Sequence, residues 1–562
     1  TGDLDLVSGG SIDMRSAYGI YTAGTQSAAM RSSDGRNLYN QPRGVELSNS
    51  GTTVLGPAGT VFEPFVNGDP ATSLYQAWYP ERGGNVLLSA QGAILGRTQS
   101  RTNDGSVRSN NNPGDWLWRQ GGAESGLPTA WWVNFGTYVY PLARTGAPLN
   151  GADASSPFVT GFTGIGTLGG GNLQVTAGGD AGMLSNPNAG AMPASQALNV
   201  GIASTGRLGA DGKLVLTGGG DLLLRVGGAI NPIERTFAVG SVSQESNGVL
   251  TNLRGNIRVD AGAIGRLDLT YGKTTTSDPR GVDKFAANDA TPFGGLVVVP
   301  GDANVDLSTR RDLVLSGAGD AGRLRQPAAT PYQPTLGGVL VPQPGGGYSW
   351  FSLWTDRTAL NLLSAGGNLS PTTQSAAPLV SAGDVGEATD YRFIFPGTLR
   401  AASAQGSIYY GGSANPLTSL VLAPSPRGQL EILANGSLYA NGYAISQSGA
   451  AQSALATPFH PGFRGYAMGT PSLLVNNTSP EGSLPPGVDG TPLFTFGPDS
   501  ASGLLHMGDT QPARFYAVNG DIVGLRTGEI LDFTRGGNVP SSKSLSTWYV
   551  AAKPVWIIAG RD

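Results

Sequence analysis

Apolar side chains alternate with polar ones in short runs along the chain, and Gly, Asn or Asp stands at the ends of most runs. Leu222, Leu224 and Val226 alternate in one run, and Ile257 and Val259 alternate in another. A period of two places one set of side chains inside and the other in solvent, which predicts half-buried strands. Gly and Asn or Asp suit corners that need a positive φ. The pattern therefore predicts an all-β chain with little helix.

Several of these runs resemble one another, although the spacing between them is irregular. "LQVTAGGDAGMLSNP" from Leu173 matches "LVLSGAGDAGRLRQP" from Leu313, and looser relatives begin at Gly2, Gly84, Gly220, Gly255, Gly428 and Gly520. A sandwich would need longer strands joined by hairpin turns, and a propeller would need a period of roughly 40 to 50 residues. A parallel β-helix stacks each strand on its equivalent about 4.8 Å away, so similar corners recur while loops of unequal length leave the core. We therefore predict a parallel β-helix, or solenoid.

The alternation also predicts which side chains point into the solenoid. The expected inward stack includes Leu173, Val175, Leu222, Leu224, Ile257, Val259, Leu313, Leu315, Leu430 and Ile432. Breaks in the alternation predict long loop excursions at about 20–82, 98–160, 271–293, 326–350 and 441–515. These segments are too apolar to be free linkers, so we expect them to fold back on the solenoid or on one another. The prediction is one continuous β-helix segment over residues 1–562.

Composition narrows the class of protein. The 562 residues include 87 Gly and no Cys, and 13% of them are charged, against roughly 25% in an ordinary domain. A net charge of −4 provides no basic field for nucleic acid or anionic membrane. No apolar run is long enough for a spanning helix. The first residues, "TGDLDLVSGG", lack a signal-peptide pattern and have the features of a strand and corner. We expect both ends to continue in a longer protein, and the isolated segment to associate end to end.

Three stretches carry a resemblance to a known family. "WWVNFGTYVYP" from Trp131, "GFTGIGTLGGGNLQVTAGGDAG" from Gly161 and the closing "AAKPVWIIAGRD" resemble the large exoproteins of the filamentous haemagglutinin type. The resemblance covers most of the chain through its Gly-rich repeats. It implies a right-handed parallel β-helix, export through an outer-membrane two-partner secretion transporter, and work at the surface of a Gram-negative bacterium as an adhesin or its stalk. The amino-terminal secretion domain of that family is not recognisable in this chain.

Motifs for cofactors and metals do not fit their required contexts. "GIGTLG", with Gly164, Gly166 and Gly169, has the spacing of a dinucleotide fingerprint, but more glycine and a strand follow where a helix is needed. The single "GGD" stretches do not form tandem calcium-binding nonapeptides. The two histidines, His460 and His506, have no cluster of ligands near them in sequence. We expect no cofactor and no metal.

Enzymatic activity is the main alternative. Some β-helices cleave polysaccharides, which requires carboxylates that face one another in a groove. Here the acidic residues look scattered over strand ends and outer faces, as at Asp3, Asp5, Asp13, Asp260, Asp268 and Asp306. Such positions favour corner hydrogen bonds and a solvated face. An enzyme would instead concentrate Asp, Glu, Arg and Lys on one outer face of neighbouring strands, whereas an adhesin would carry aromatic and Asn-rich patches on its excursions.

The sequence therefore favours a structural and adhesive segment without enzymatic activity, secreted or at the cell surface. Its expected role is that of a rigid stalk that presents binding surfaces to glycans or proteins of host or bacterial cells. The alternatives are a carbohydrate-active β-helix enzyme, either a polysaccharide lyase or a glycosidase, and the stalk of a contact-dependent toxin.

Tryptophan is concentrated in one excursion. Trp116, Trp118, Trp131 and Trp132 are four of the nine Trp in the chain. Exposed aromatic faces stack on sugar rings, but buried ones anchor a long loop, because each Trp buries about 150 to 250 Å². Trp131 and Trp132 flank the strand-like "VNFGTYVY" and are predicted loop anchors. Trp116 and Trp118 lie in a polar segment and are predicted ligand contacts.

Overall fold

Parallel pairing dominates the strands of this chain in the computed structural model. The largest sheet has 25 strands, and the described residues contain one helical element, a 3-10 turn at Ala321–Arg323. The structure describes residues 2–14, 19–28, 54–55, 61–62, 78–98, 117–120, 130–133, 137–139, 158–160, 162, 164–182, 194–195, 198–208, 213–232, 236–239, 242–245, 248–269, 290–323, 332–334, 340–342, 349–371, 394–410, 420–423, 425–440, 444–447, 457–459, 462–463, 509–523, 525–527, 547–551 and 553–562. The protein is all-β with a large parallel sheet, as the alternation predicts.

Eleven strands form a first ladder, in which each strand pairs in parallel with the next along the chain. They are Leu4–Ser8, Val86–Ala90, Leu173–Ala177, Leu222–Ile230, Ile257–Ile264, Asn304–Thr309, Ala359–Ser364, Thr398–Ser403, Leu430–Ala434, Ala513–Ala517 and Val555–Ala559. Alternate side chains are buried in most of these strands, as in Leu173–Ala177 and Leu430–Ala434. The first ladder therefore has one buried face and one face open to solvent.

Two further ladders run beside the first. The second contains Ile12–Met14, Ile94–Thr98, Ala181–Gly182, the ends of Leu222–Ile230 and Ile257–Ile264, then Leu313–Ala318, Leu369–Ser370, Ile408–Tyr410, Leu438–Ala440 and Ile522–Val523. The third contains Ile20–Thr22, Ile165–Leu168, Asn199–Ala203, Gly248–Arg254, Leu296–Asp302 and the later part of Leu313–Ala318. A separate parallel sheet contains Ile394–Phe395, Leu420–Leu422, Ala444–Gln447, Thr547–Ala551 and Leu525–Thr527. The chain returns to the same ladders in the same order many times.

One hydrophobic cluster takes side chains from all three ladders. The ten residues of the predicted inward stack all belong to it, and each is at most 1% exposed. Leu224, for example, lies in register between Val175 and Val259 of the neighbouring strands. The predicted inward stack is therefore confirmed.

The third ladder is buried on both faces from Ile165–Leu168 onward, whereas its first strand, Ile20–Thr22, is half-buried. In Leu296–Asp302, Val298 belongs to the main cluster whereas Val297 and Val299 belong to a second cluster on the opposite side. Trp131 and Phe351 are members of this second cluster and cover the outer face. Strands buried on both faces carry continuous apolar runs instead of alternating ones, which explains "LVVV" in this strand.

Polar side chains stack at the corner before the first ladder. We call Asp3, Asn85, Asn172, Asp221, Asn256 and Asn304 the Asx ladder. Each side-chain oxygen accepts a hydrogen bond from the backbone N–H of the next member, at 2.7 to 3.3 Å. A similar series, Asp312, Asn368, Ser407, Ser437, Asp521 and Asp562, stacks at the corner before the second ladder. These bonds satisfy backbone donors that the strand ladders leave unpaired.

The corners use glycine and Asx residues differently from the expectation. Among the described residues, only Arg82 and Asn231 are non-glycine residues with positive φ, so one corner Asx residue, Asn231, supplies that conformation and the six members of the Asx ladder do not. Glycine does: Gly171 has a φ of +101°, and a Cβ there would overlap the carbonyl oxygen of Gly84 on the adjacent strand. The recurring Gly-Asx pair thus combines a glycine for the turn with an Asx for the ladder.

Antiparallel strands form smaller sheets beside the ladders. They are Thr25–Ala28 with Trp78–Glu81, Val54–Leu55 with Val61–Phe62, the four strands Leu117–Gln120, Ala130–Val133, Thr205–Leu208 and Leu214–Thr217, then Thr137–Val139 with Phe158–Thr160, Thr236–Val239 with Val242–Glu245, Arg266–Leu269 with Ala290–Phe293, Tyr332–Pro334 with Leu340–Pro342, and Ser349–Trp350 with Gly462–Phe463. Ala194–Ser195 pairs antiparallel with Ile94–Thr98. Much of each predicted excursion lies outside the described residues. Ile20–Thr22, at the start of the first one, pairs within the third ladder.

Candidate functional site

The solvent-facing side of the first ladder carries two rows of side chains that line up across neighbouring strands. We call Arg258, Asp306, Asn361, Arg400, Glu431 and Arg514 the charged row. The adjacent row, two residues further along each strand, contains Asp260, Ser308, Leu363, Ala402 and Leu433. Parallel register fixes both rows, because each residue lies opposite its equivalent about 4.8 Å away on the next strand.

Hydrogen bonds and ion pairs connect the charged row from one strand to the next. Nδ2 of Asn361 donates to Oδ1 of Asp306 at 2.8 Å, and Oδ1 of Asn361 accepts from Nη1 of Arg400 at 3.2 Å. Nε of Arg400 lies 3.6 Å from Oε2 of Glu431, and the other oxygen of Glu431 pairs with Arg514. A continuous chain of polar contacts therefore crosses five strands, and each partner restricts the rotamers of its neighbours.

Asp260 joins the two rows at one end. Its Oδ2 lies 3.2 Å from Nε of Arg258, and its Oδ1 accepts a hydrogen bond from Oγ of Ser308 at 2.8 Å. The side chain of Arg258 is 65% exposed and that of Asp260 is 35% exposed, so this pair contributes at most about 1 kcal/mol to stability. Its main effect is to hold two polar groups in fixed positions at the surface.

A groove of about 480 Å³ lies over these rows and spans five strands of the first ladder. Its polar lining comes from Asp260, Ser308 and the charged row without Arg514, which lies on the next strand outside the groove. Its apolar lining includes Leu363, Ala402 and Leu433 from the adjacent row, and Leu363 is 43% exposed. The small side chain of Ala402 lies in register between Leu363 and Leu433.

The charges of this face balance. Three arginines, Arg258, Arg400 and Arg514, accompany three carboxylates, Asp260, Asp306 and Glu431. Each carboxylate accepts hydrogen bonds or ion pairs from neighbouring side chains. Such a surface offers fixed donors and acceptors for a ligand that has both, for example one with many hydroxyl groups.

The register brings together acidic residues that look scattered in the sequence. Asp260 and Asp306 lie on neighbouring strands of the solvent-facing side, as predicted for outer-face residues, and the register places them on one surface. The corner interpretation holds for Asp3, whose Oδ1 accepts from the backbone N–H of Asn85. Asp268 forms an exposed ion pair with Arg266 on an antiparallel hairpin. The concentration of Asp, Glu and Arg on one outer face is the feature that we expect of an enzyme.

Trp131 is 1% exposed and joins the second hydrophobic cluster. Its Nε1 donates a hydrogen bond to the carbonyl oxygen of Ser204 at 3.1 Å, and its ring centroid lies 5.2 Å from that of Phe351. Gly206, opposite Trp131 in the antiparallel sheet, leaves room for the ring, since a Cβ there would overlap it. These are the contacts that a loop anchor makes, and its contribution to stability is a prediction for mutagenesis.

The other predicted tryptophans are less fully described. Trp132 lies opposite Trp118 in the antiparallel pair of Leu117–Gln120 and Ala130–Val133, so both belong to the same small sheet. Trp116 lies outside the described residues. The ligand-contact role of Trp116 and Trp118 and the anchoring role of Trp132 stay predictions.

The motifs that suggest a nucleotide or a metal lie in other contexts. Ile165–Leu168, inside "GIGTLG", is a strand of the third ladder, and Gly169 has a φ of +94° at the corner that follows. In the described part of the chain, no group of three or more His, Cys, Asp or Glu is placed to hold a metal ion. His460 and His506 lie outside it. No helix of the described residues is long and apolar enough to cross a membrane.

Comparison of the chain with protein-family models, with curated proteins and with solved structures found no match. The resemblance to exoproteins of the filamentous haemagglutinin type therefore stays a prediction.

Proposed function

We propose that the chain is a closed, right-handed parallel β-helix that serves as a rigid stalk in a secreted or cell-surface bacterial exoprotein. The observation that carries this proposal is the unbroken succession of eleven parallel strands in the first ladder. Ten intervals of about 4.8 Å give a length of about 48 Å along the stack. The single core shared by the three ladders supports closure of each turn into a coil.

The biological part of the proposal follows from the resemblance to the filamentous haemagglutinin type. An outer-membrane two-partner secretion transporter would export the parent protein, and surface glycans or proteins of host or bacterial cells would be its ligands. Export in an unfolded state is compatible with a chain that contains no Cys. Stacked parallel rungs are a suitable spacer, because each rung is held by neighbours on both sides.

Two measurements test this proposal together. Small-angle scattering of the purified chain should give an elongated particle, and a compact spherical envelope would contradict the solenoid. Beads coated with the purified chain should adhere to cells that carry suitable receptors, whereas beads coated with the urea-unfolded chain should not. Equal adhesion of both bead preparations would contradict a role for the folded surface.

A carbohydrate-active enzyme is the second candidate, and one observation favours it. The charged row concentrates carboxylates and arginines on one outer face of neighbouring strands. Glycoside hydrolysis needs one carboxyl group that protonates the leaving oxygen and another that acts as base or nucleophile. Release of new reducing ends, or of unsaturated sugars, from polysaccharides incubated with the chain would establish this alternative. Stable polysaccharide under the same conditions would support the stalk.

A further inference from the structure

We infer that the groove over the charged row binds an extended, uncharged polysaccharide that runs across the strands, along the axis of the stack. This inference rests on the proposed function, since it names the binding surface that the stalk presents. Three properties of the groove carry it: its repeat distance, the fixed arrangement of its polar groups, and the carboxylates that accompany its arginines.

The repeat distance suits a polysaccharide in an extended conformation. The groove crosses five strands, from Ile257–Ile264 to Leu430–Ala434, so it is about 19 Å long at about 4.8 Å per strand. One strand spacing is close to the advance of one pyranose ring in an extended β-linked chain. Successive sugars therefore meet equivalent positions on successive strands.

The polar groups are held in place before a ligand arrives. Asn361 is bonded on one side to Asp306 and on the other to Arg400, and Arg400 also pairs with Glu431. A preorganised row loses little side-chain entropy on binding. Planar amide, carboxylate and guanidinium groups at the edge of a groove are suitable partners for sugar hydroxyls, which both donate and accept.

The apolar floor suits the other part of a sugar. The exposed Leu363, together with Ala402 and Leu433, forms a strip beside the charged row. The C–H faces of pyranose rings pack against such side chains while their hydroxyls reach the polar edge. A flat polar surface without this strip would leave those faces in water.

The charges of the groove distinguish between ligand classes. A nucleic acid or an acidic glycan would gain from unpaired cations, but the two arginines of the groove, Arg258 and Arg400, lie among three carboxylates. Asp260, Asp306 and Glu431 would repel a polyanion that follows the groove. An uncharged chain meets no such repulsion, so we assign the groove to a neutral polysaccharide.

The test uses the full purified chain and an array of linear oligosaccharides long enough to span the groove, both neutral and extended (cello- and manno-oligosaccharides) and acidic (oligogalacturonate). We expect the chain to bind at least one neutral series and not to bind oligogalacturonate. Calorimetry in solution should confirm binding of the oligosaccharide identified on the array. Ala402→Ile should put a bulky side chain into the groove between Leu363 and Leu433 and weaken binding at least about tenfold. The matched control is Ser89→Ile, at an outward position of the same row outside the groove.

A second variant keeps the test decisive if Ala402→Ile does not fold. Asn361→Ala removes the amide that links Asp306 to Arg400, and it should weaken binding while leaving the inward core intact. Both variants are checked by urea unfolding against the parent chain. Retained binding in both folded variants, exclusive binding of oligogalacturonate, or no binding of any neutral series would overturn the assignment.

The outcomes also separate this inference from the proposed function. An elongated particle that adheres to cells but binds no neutral oligosaccharide would refute the groove assignment and leave the stalk in place. Cleavage of a bound neutral oligosaccharide would support the groove assignment and overturn the non-enzymatic function.

Discussion

The substitution Leu224→Ala tests the inward stack at a position where the geometry allows a magnitude to be worked out. Leu224 is fully buried, and it lies in register between Val175 and Val259 on the two adjacent strands. The substitution removes the side-chain carbons beyond Cβ. At about 0.8 kcal/mol per buried CH₂ group, this loses about 2 kcal/mol of transfer free energy. A cavity term adds to this loss where the surroundings cannot collapse.

The residues around Leu224 cannot move far enough to fill the cavity, because both neighbouring strands are held in place by the first ladder. Leu222–Ile230 pairs with Leu173–Ala177 on one side and with Ile257–Ile264 on the other, so the backbones stay about 4.8 Å apart. We therefore expect a total loss of about 3 to 5 kcal/mol in the free energy of unfolding. Leu223→Ala is the matched control, since Leu223 is the next residue of the same strand and faces outward. It should cost less than about 1 kcal/mol.

The assay combines equilibrium urea unfolding, followed by far-ultraviolet circular dichroism, with hydrogen exchange of the backbone amides. Hydrogen exchange is needed because solenoids can open locally, and a single free energy of unfolding then misses the effect. Leu224→Ala should raise exchange in Leu173–Ala177 and Ile257–Ile264 as well as in its own strand. A loss no larger than that of Leu223→Ala, with unchanged exchange in the neighbouring strands, would refute the stacked core.

Three further substitutions test the corners and the covering sheet. Gly171→Ala should destabilise the chain by more than about 2 kcal/mol because of its positive φ and the close carbonyl, whereas Gly9→Ala, with open space around it, should stay within about 0.5 kcal/mol in urea unfolding. Asn172→Ala should cost about 1 to 2 kcal/mol by removing an acceptor of the Asx ladder, and Asn172→Asp should restore most of it; equal losses would contradict the ladder. Trp131→Ala should cost about 3 to 5 kcal/mol and raise hydrogen exchange in Thr205–Leu208, and unchanged exchange there would contradict its anchoring role.

The inward stack could be predicted from sequence because alternation is a local property. Leu173 and Val175 face the core wherever their strand lies in the sheet, so a period of two identifies them without any knowledge of their partners. The doubly buried third ladder has a local signal as well, the apolar run at Leu296–Val299. A search for alternation overlooks this apolar run, because alternation is typical of strands with one solvent-exposed face.

The charged row could not be predicted in this way, because its members are distant in sequence. Asn361 and Arg400 are 39 residues apart, and Glu431 and Arg514 are 83 apart. Loops of unequal length separate the strands, so the register that aligns them is not encoded at a fixed spacing. Only strand pairing places Asp306 beside Asn361 and turns isolated polar residues into one surface.

The order of side chains in the charged row satisfies a constraint that parallel stacking imposes. Each residue in a ladder has two neighbours in register, and like charges directly opposite one another are destabilising. Along the row the signs alternate from Arg258 to Asp306 and from Arg400 through Glu431 to Arg514, with the neutral Asn361 in between. Only 13% of the residues in the chain are charged. Each charged residue of the charged row nevertheless lies next to a residue of opposite charge. The same pairing that makes the strip compatible with the stack fixes its donors and acceptors at the solvent face, so stability of the ladder and recognition at the groove depend on one arrangement.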